Sequence, residues 1–272
     1  MMKGIQVFIL MTAILFQSCE KLIGEGPVVT ETRITPNFTG VELKVPGKLY
    51  YTEGAVYKVE LQSQQNILNE IETIMSGNGL VIRFRHNNTN LKSGENIMVK
   101  ITAPAISKLE VHGPGNIESQ APFNPASLRL AVNGSGNIRV HNIATDFLDA
   151  DISGSGKINL IEGVTNNQSL EINGSGEMDL GNFIARKTTA HISGSGNIKV
   201  NTAETLDVNI SGSGSVRYRG NPAVTSSVSG SGSVGKQLVE REIVCQRCKI
   251  NVMIFGVRYR SMIMHTHDQT SC

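Results

Sequence analysis

The chain has no tryptophan, and aromatic residues make up only 5% of its 272 positions. Few rings are therefore available for a sugar-stacking platform. No charge of one sign is in excess either, since 25 Lys and Arg stand against 23 Asp and Glu, a formal net charge of +2. The basic residues are spread along the sequence rather than clustered, so the electrostatic footprint of a nucleic-acid binder is missing. No segment of the C-terminal half sustains a helical period of 3.6, and no nucleophile, base and orienting group converge in any recognisable motif. Hydrophobic residues at 39% nevertheless suffice for one elongated globular domain.

The one long apolar run lies at the start. Lys3 is followed by apolar residues from Ile5 to Phe16, broken only by Gln6 and Thr12, and then by Gln17-Ser18-Cys19. This run is too short to span a bilayer and has the length of a signal-peptide core. Cys19 stands where a bacterial lipoprotein carries the cysteine that is cut at its N-side and acylated. The box Leu15-Phe16-Gln17-Ser18 is looser than usual but keeps a small residue before the cysteine. The reading is a lipoprotein signal peptide over residues 1–18 and a short tether over residues 19–26, with Cys19 as the lipid attachment site. The alternative is a plain secretory signal with an incidental cysteine.

What the chain has in abundance is glycine, at 28 residues. A Gly-Ser-Gly phrase starts at Gly134, Gly154, Gly174, Gly194, Gly212 and Gly230, with a variant at Gly113-Pro114-Gly115, giving steps of 21, 20, 20, 20, 18 and 18 residues. Around each phrase apolar and polar residues alternate, as in Ala150-Asp151-Ile152-Ser153 before a turn and Lys157-Ile158-Asn159-Leu160 after it. Period-two alternation is the pattern of a half-buried strand. Ile152, Gly154, Gly156 and Ile158 share one parity, which places the glycines on the inner side of a tight corner, where a side chain would collide with the interior. Glycine pairs and Val/Ile/Thr-rich runs oppose helix. Coils of about 20 residues stacking in parallel bury a continuous core that one coil cannot bury alone. The expected fold is all-β, a right-handed parallel β-helix with a mixed N-terminal cap. β-rich runs at 28–34, 41–45, 58–61, 80–84 and 96–101 form that cap, together with a short helix over residues 67–75.

Stacking creates columns. Three residues before each first glycine stand Ala131, Asp151, Glu171, His191, Asn209 and Ser227, and five before stand Asp149 and Asp207. With the coils in register, Asp151, Glu171 and His191 stand one above another at about 5 Å steps on the outer face. Such carboxylates serve general acid and base chemistry on a glycan, or share a cation with His191, or form an ordinary solvated surface. Asn133, Ser153, Asn173, Ser193, Ser211 and Ser229 form a neighbouring column suited to hydrogen bonds between coils. Lys157 with Glu177, and Asp179 with Lys199, stack as ion pairs worth under about 1 kcal/mol each. Phosphate-loop look-alikes such as Gly154-Ser155-Gly156-Lys157 open no helix and lack the remaining residues of that motif.

The stretch from about residue 26 to residue 237 resembles the head GIN domain, a family named for auto-transporter adhesins. The likeness is carried by Gly24-Glu25-Gly26-Pro27-Val28-Val29, by Pro104-Ala105-Ile106-Ser107-Lys108-Leu109, and by the serial Ser/Asn-Gly-Ser-Gly-x-Ile phrases. The resemblance implies a right-handed β-helix, an envelope location and, by the family name, adhesion. It brings no catalytic residues.

After residue 237 the glycine phrase stops. Cys245-Gln246-Arg247-Cys248, an apolar run at 250–257, His265-Thr266-His267 and Cys272 follow. Cys245, Cys248, His265 and His267 offer a zinc set of unusual His-x-His spacing, a disulfide fits an oxidising envelope as well, and an out-of-frame extension would explain the change of composition. The domain plan is a head GIN-like β-helix over residues 27–237 and an atypical tail over 238–272. The expected function is a non-enzymatic outer-membrane lipoprotein with a binding, adhesion or structural role, facing the periplasm or the cell surface. No cofactor and no metal are assigned. Its partners are the membrane, through lipid on Cys19, and a glycan or protein ligand; nucleic acid is excluded. Exposed coil ends admit edge-to-edge pairing and hence a homo-oligomer. The alternative is a polysaccharide-active β-helix enzyme using Asp151 and Glu171.

Overall fold

The computed structural model describes residues 21–86, 88–92 and 96–237, together with the backbone of residues 253–254 and 257–258. The chain divides into two compact units, 1–238 and 239–272. In the second, Met253–Ile254 pairs antiparallel with Val257–Arg258.

In the first unit the chain forms β1 (Lys21–Leu22), β2 (Val28–Arg33), β3 (Gly40–Leu43), β4 (Lys48–Glu53) and β5 (Lys58–Gln64). A helix α1 (Gln65–Glu70) leads into β6 (Ile71–Ser76), β7 (Gly79–Phe84), β8 (Asn90–Leu91) and β9 (Met98–Ala103). The glycine phrases then punctuate β10 (Lys108–Gly113), β11 (Asn116–Ser119), β12 (Ser127–Gly134), β13 (Asn137–Gly154), β14 (Lys157–Gly174), β15 (Glu177–Gly194) and β16 (Asn197–Gly212). The described ladder closes with β17 (Ser215–Arg219), β18 (Ala223–Ser229) and β19 (Ser233–Lys236).

From β10 onward each coil lies parallel on the one before, and in register apart from a shift between β15 and β16. Ile138 pairs with Ile158, Ile158 with Met178 and Met178 with Ile198. Ile152, Ile172, Ile192 and Ile210 form a second such column. All eight are buried, and the intervening polar residues face outward, so alternation in sequence becomes inside and outside in space. Each buried aliphatic side chain contributes roughly 1.5–3 kcal/mol of transfer free energy. This is the parallel β-solenoid expected from the repeat.

The corners explain the glycines. Ser155 N donates to Gly134 O at 2.9 Å and Lys157 N to Gly136 O at 3.1 Å, and one coil later Ser175 N and Glu177 N repeat the pattern on Gly154 O and Gly156 O. The two glycines of a phrase are not equivalent. Gly174 has φ of +130°, and a Cβ there would run into the carbonyl oxygen of Gly154 in the coil beneath, so its constraint acts along the stack. Gly176 faces the core, where a Cβ would stand 2.6 Å from Ile152 Cγ2. Only the second glycine of each pair therefore meets the interior.

The change of spacing from 20 to 18 residues also has a physical form. Leu180 pairs with Val200 but Ile184 pairs with Asn201, a register shift that leaves residues 181–183 bulged. Arg219, two coils on, donates from Nη1 to Asn182 Oδ1 at 3.0 Å and to Gly181 O at 3.3 Å, tying the bulge down.

At the N-terminal end the order in space departs from the order in sequence. β3 pairs on one side with β10 and on the other with β7, while β4 lies between β11 and β9, all four pairings being parallel. Antiparallel strands finish this end: β6 on β7, β5 on β9 and β2 on β5. α1 lies against these strands with Ile67 and Leu68 wholly buried. The helix expected over 67–75 is thus shorter and earlier. Residues 71–76 pair as a strand instead, because Ile71, Thr73 and Ile74 are β-branched and the edge of β7 is available to them.

Candidate functional site

The strands β10, β12 to β16 and β18 present one continuous outer face. Register places Glu110, Ala131, Asp151, Glu171, His191, Asn209 and Ser227 in one column. The expected stack of Asp151, Glu171 and His191 is therefore present on consecutive coils. Its setting differs from that of an acid and base pair. Arg129, one coil earlier, makes ion pairs with both Asp149 and Asp151 and lies 3.9 Å from Glu110. Burial pushes the Asp151 carboxyl above its usual range, Arg129 pulls it back, and Asp149 and Glu171 add to the upward shift. Burial alone would lower the Arg129 guanidinium, but Asp151 and Asp149 outweigh it and raise it. Glu171 Oε1 accepts a hydrogen bond from Asn173 Nδ2 at 2.8 Å.

These residues stand on consecutive strands of one in-register ladder. Two concavities lie elsewhere on the solenoid. One, of about 410 Å³, runs over the corner formed by Asn167, Lys187, Thr189, Thr205, Asp207 and Thr225. Beneath it the buried Gln168 donates from Nε2 to Thr188 Oγ1 at 2.8 Å. The other, of about 530 Å³, is lined by the in-register Ala144, Val164 and Ile184 and by Asp146, Asn166 and Arg186. Neither is lined by Asp151, Glu171 or His191.

The neighbouring column also behaves differently from expectation. Asn133, Ser153, Asn173, Ser193, Ser211 and Ser229 are in register, but the hydrogen bond of Asn173 runs within its own coil. Bonds between coils are made on the adjoining face, where Asn137 Nδ2 donates to Asn116 Oδ1 and Ser215 Oγ to Asn197 Oδ1, both at 2.6 Å. That face also carries the expected ion pairs, Lys157 with Glu177 at 3.1 Å and Lys199 with Asp179 at 3.3 Å, joined by Lys199 with Glu177 at 3.4 Å. The hydrogen bond from Lys157 is the main reason the Glu177 carboxyl sits below its usual range. Asp179 raises the Lys199 ammonium in the same network.

One cluster could not be found from the sequence. Glu42, Glu110 and His112 bring their donor atoms within 4.8 Å of one another, with His112 Nε2 at 2.7 Å from Glu42 Oε1. Glu42 is distant in sequence and arrives only because β3 pairs with β10. Lys44 lies 3.0 Å from Glu42 and Lys108 2.9 Å from Glu110, so a cation would compete with two ammonium groups already in place. The stripe of Ala144, Val164 and Ile184 was likewise missed, although a short run of apolar residues at a constant 20-residue offset is a signal for it. Cys19 and the expected signal peptide over residues 1–18 lie outside the described residues, as do Cys245, Cys248, His265, His267 and Cys272.

A family model described as "Putative auto-transporter adhesin, head GIN domain" matches residues 37–222. No curated protein sequence matches the chain significantly. Among solved structures, a "putative adhesin" from Bacteroides fragilis is similar with a TM-score of 0.75 and 22% identity, over 79% of this chain and 100% of that one. A "putative lipid binding protein" from Parabacteroides distasonis is similar with a TM-score of 0.67 and 22% identity, over 80% of this chain and 100% of that one. A "putative adhesin" from Parabacteroides merdae has a TM-score of 0.64 and 19% identity, over 80% of this chain and 99% of that one. At these identities the structures share the solenoid fold.

Proposed function

The chain belongs to the head GIN domain family, and on that premise we propose that it is a lipid-anchored envelope protein whose rigid β-solenoid serves binding or adhesion and performs no catalysis. A binding role at the cell surface or envelope is what the family description and the adhesin-type structural relatives support. The finer reading adds that residues 1–18 are removed, that Cys19 is acylated, and that the protein faces the periplasm or the exterior from the outer membrane. A diacylglycerol with a further acyl chain supplies the more than one chain that stable anchoring needs.

The observation that carries the non-catalytic reading is the Arg129 clamp. It holds Asp149 and Asp151 as ion-paired members of an exposed, in-register face. A stiff ladder of carboxylates, hydroxyls and amides at fixed strand spacing is suited to repeated weak contacts, which gain by avidity when the target is also repetitive. A glycan array probed with the purified protein, beside the double variant Asp151→Asn/Glu171→Gln, tests the reading. Binding that survives in the variant without release of product supports a recognition module. Cleavage by the parent that vanishes in the variant makes the protein an enzyme acting through those two carboxylates. The anchor is tested separately by a clickable palmitate analogue, whose incorporation should be lost in Cys19→Ala along with membrane fractionation.

A further inference from the structure

The two ends of the solenoid are finished in opposite ways. At the N-terminal end, α1 buries Ile67 and Leu68, and the outermost strands β2 and β6 carry Glu31, Arg33 and Glu72, charges that discourage another strand from pairing there. At the other end β18 pairs on one side with β16, and no strand among the described residues pairs with its other side. All seven residues of β18 are exposed, including Val224 at 39% and Val228 at 42%. Both belong to columns that are buried in every coil beneath, Val224 above Leu206 and Val228 above Ile210. The strand has no charge, no proline and no bulge, so it carries none of the usual devices that protect an edge.

Its sequence also reads alike in both directions. In an antiparallel pairing of β18 with itself centred on Ser226, Val224 meets Val228 twice, Thr225 meets Ser227, and Ser226 meets Ser226. On the inner side the two Val224–Val228 pairs flank the Ser226 pair, which stands above the buried Val208; on the outer side Thr225 meets Ser227, and Ala223 meets Ser229 at the ends. A two-fold axis through Ser226 produces this pairing, and a closed isologous contact follows from it. A head-to-tail stack would instead require a second open end, and the capped N-terminal end does not offer one. We propose that the β18 edge, which no described strand covers, is an interface with a second copy of this chain, formed by antiparallel pairing of β18 with its symmetry mate. The partner strand would satisfy the free ladder groups and cover Val224 and Val228, joining two cores into one. The inference is independent of the ligand reading above.

The test is the solution mass of the purified full-length chain in detergent-free buffer after Cys19→Ala, measured by sedimentation velocity over a range of concentrations. A dimer is expected in the parent. Val224→Lys and Val228→Lys should each raise its dissociation constant by at least about tenfold, since each buries an unpaired charge at the seam, while circular dichroism stays unchanged. Should either lysine variant misfold, Ser226→Cys decides. Cross-strand partners lie about 4.5–5.5 Å apart between Cα atoms, within disulfide range. Mild oxidation should therefore link position 226 to position 226 in a peptide identified by mass spectrometry, and the same change at Ser169 should give no such link. A parent that is monomeric at all concentrations overturns the proposal. So does a dimer that tolerates both lysines and gives no link at 226, or one that forms only after residues 238–272 are removed, which would mean that the chain's own tail covers the edge.

Discussion

Gly174 and Gly176 are two positions apart and fail for different reasons when a methyl group is added. Gly174→Ala forces an L-residue to a φ of +130° and drives its Cβ into a backbone carbonyl, which cannot retreat without moving a whole coil. Gly176→Ala would bring its Cβ to 2.6 Å from Ile152 Cγ2 and 3.0 Å from Gly156 O, a clash with a side chain first and a looser one with backbone, and without the positive φ. Overpacking costs about 1–3 kcal/mol, and a residue held in a sparsely populated backbone region costs a similar amount again. Urea unfolding should therefore show both variants destabilised, Gly174→Ala the more, and equal midpoints would refute the distinction. Charge acts on a smaller scale. The folded-state pKa of Glu177 is depressed, so its stabilising contribution is present above the unfolded value of about 4.3 and is lost as pH falls through the folded one. Its carboxylate is more than a third exposed, and the difference between parent and Glu177→Gln should be only a few tenths of a kcal/mol, by the standard of surface pairs. Asp151 has the opposite sign: its raised pKa makes the folded state the tighter proton binder, so its contribution improves as pH falls through the raised value. Stability measured against pH in Asp151→Asn should lack that slope, and an unchanged profile would show that Arg129 dominates.

At the level of elements, what was legible depended on whether the signal was local. The glycine phrases stand about one coil apart, so a reader of the sequence could place Ile152 over Ile172 and Lys157 beside Glu177, as the register has them. The pairing of β3 with β10 joins residues such as Val41 and Leu109 across an intervening hairpin and helix, and no periodicity reports it. The Glu42, Glu110 and His112 cluster was hidden for that reason. Arg129 was overlooked because its column changes charge from coil to coil, Lys108, Arg129, then Asp149, and only side-chain length reveals that one guanidinium reaches two carboxylates. α1 was partly legible: Ile67 and Leu68 mark an apolar face, but its end depended on a neighbouring strand edge. Because those two side chains close the core, Leu68→Ala should cost about 2–5 kcal/mol, more than truncating the exposed Ile184. Thermal unfolding of the two variants checks this, and similar melting temperatures would mean that α1 is peripheral.

For the molecule as a whole, nearest-neighbour stacking makes length adjustable in units of one coil. Removing residues 157–176 brings β15 onto β13 with every core column preserved, because Asn137 is matched to Lys157 and Lys157 to Glu177. That deletion should leave a folded protein with the same strand signature in circular dichroism. Removing residues 157–166 breaks the columns and should leave an aggregating one. Survival of the shorter deletion would argue that the columns do not direct the stacking.

The sandwiched position of β3 and β4 bears on the order of events in time. This layer emerges from the ribosome early, yet one of its neighbours comes from residues 79–103 and the other from residues 108–119. It can serve as a nucleus only once all of these are available, and forming it closes long loops, Gly40 to Lys108 among them, a slow step by the logic of contact order. Every later layer condenses on an edge already formed, with partners about one coil away. Such a topology favours growth from one seed in one direction, as a crystal grows from a face, and β18 is the last described strand on its face, with an outer edge that no described strand covers.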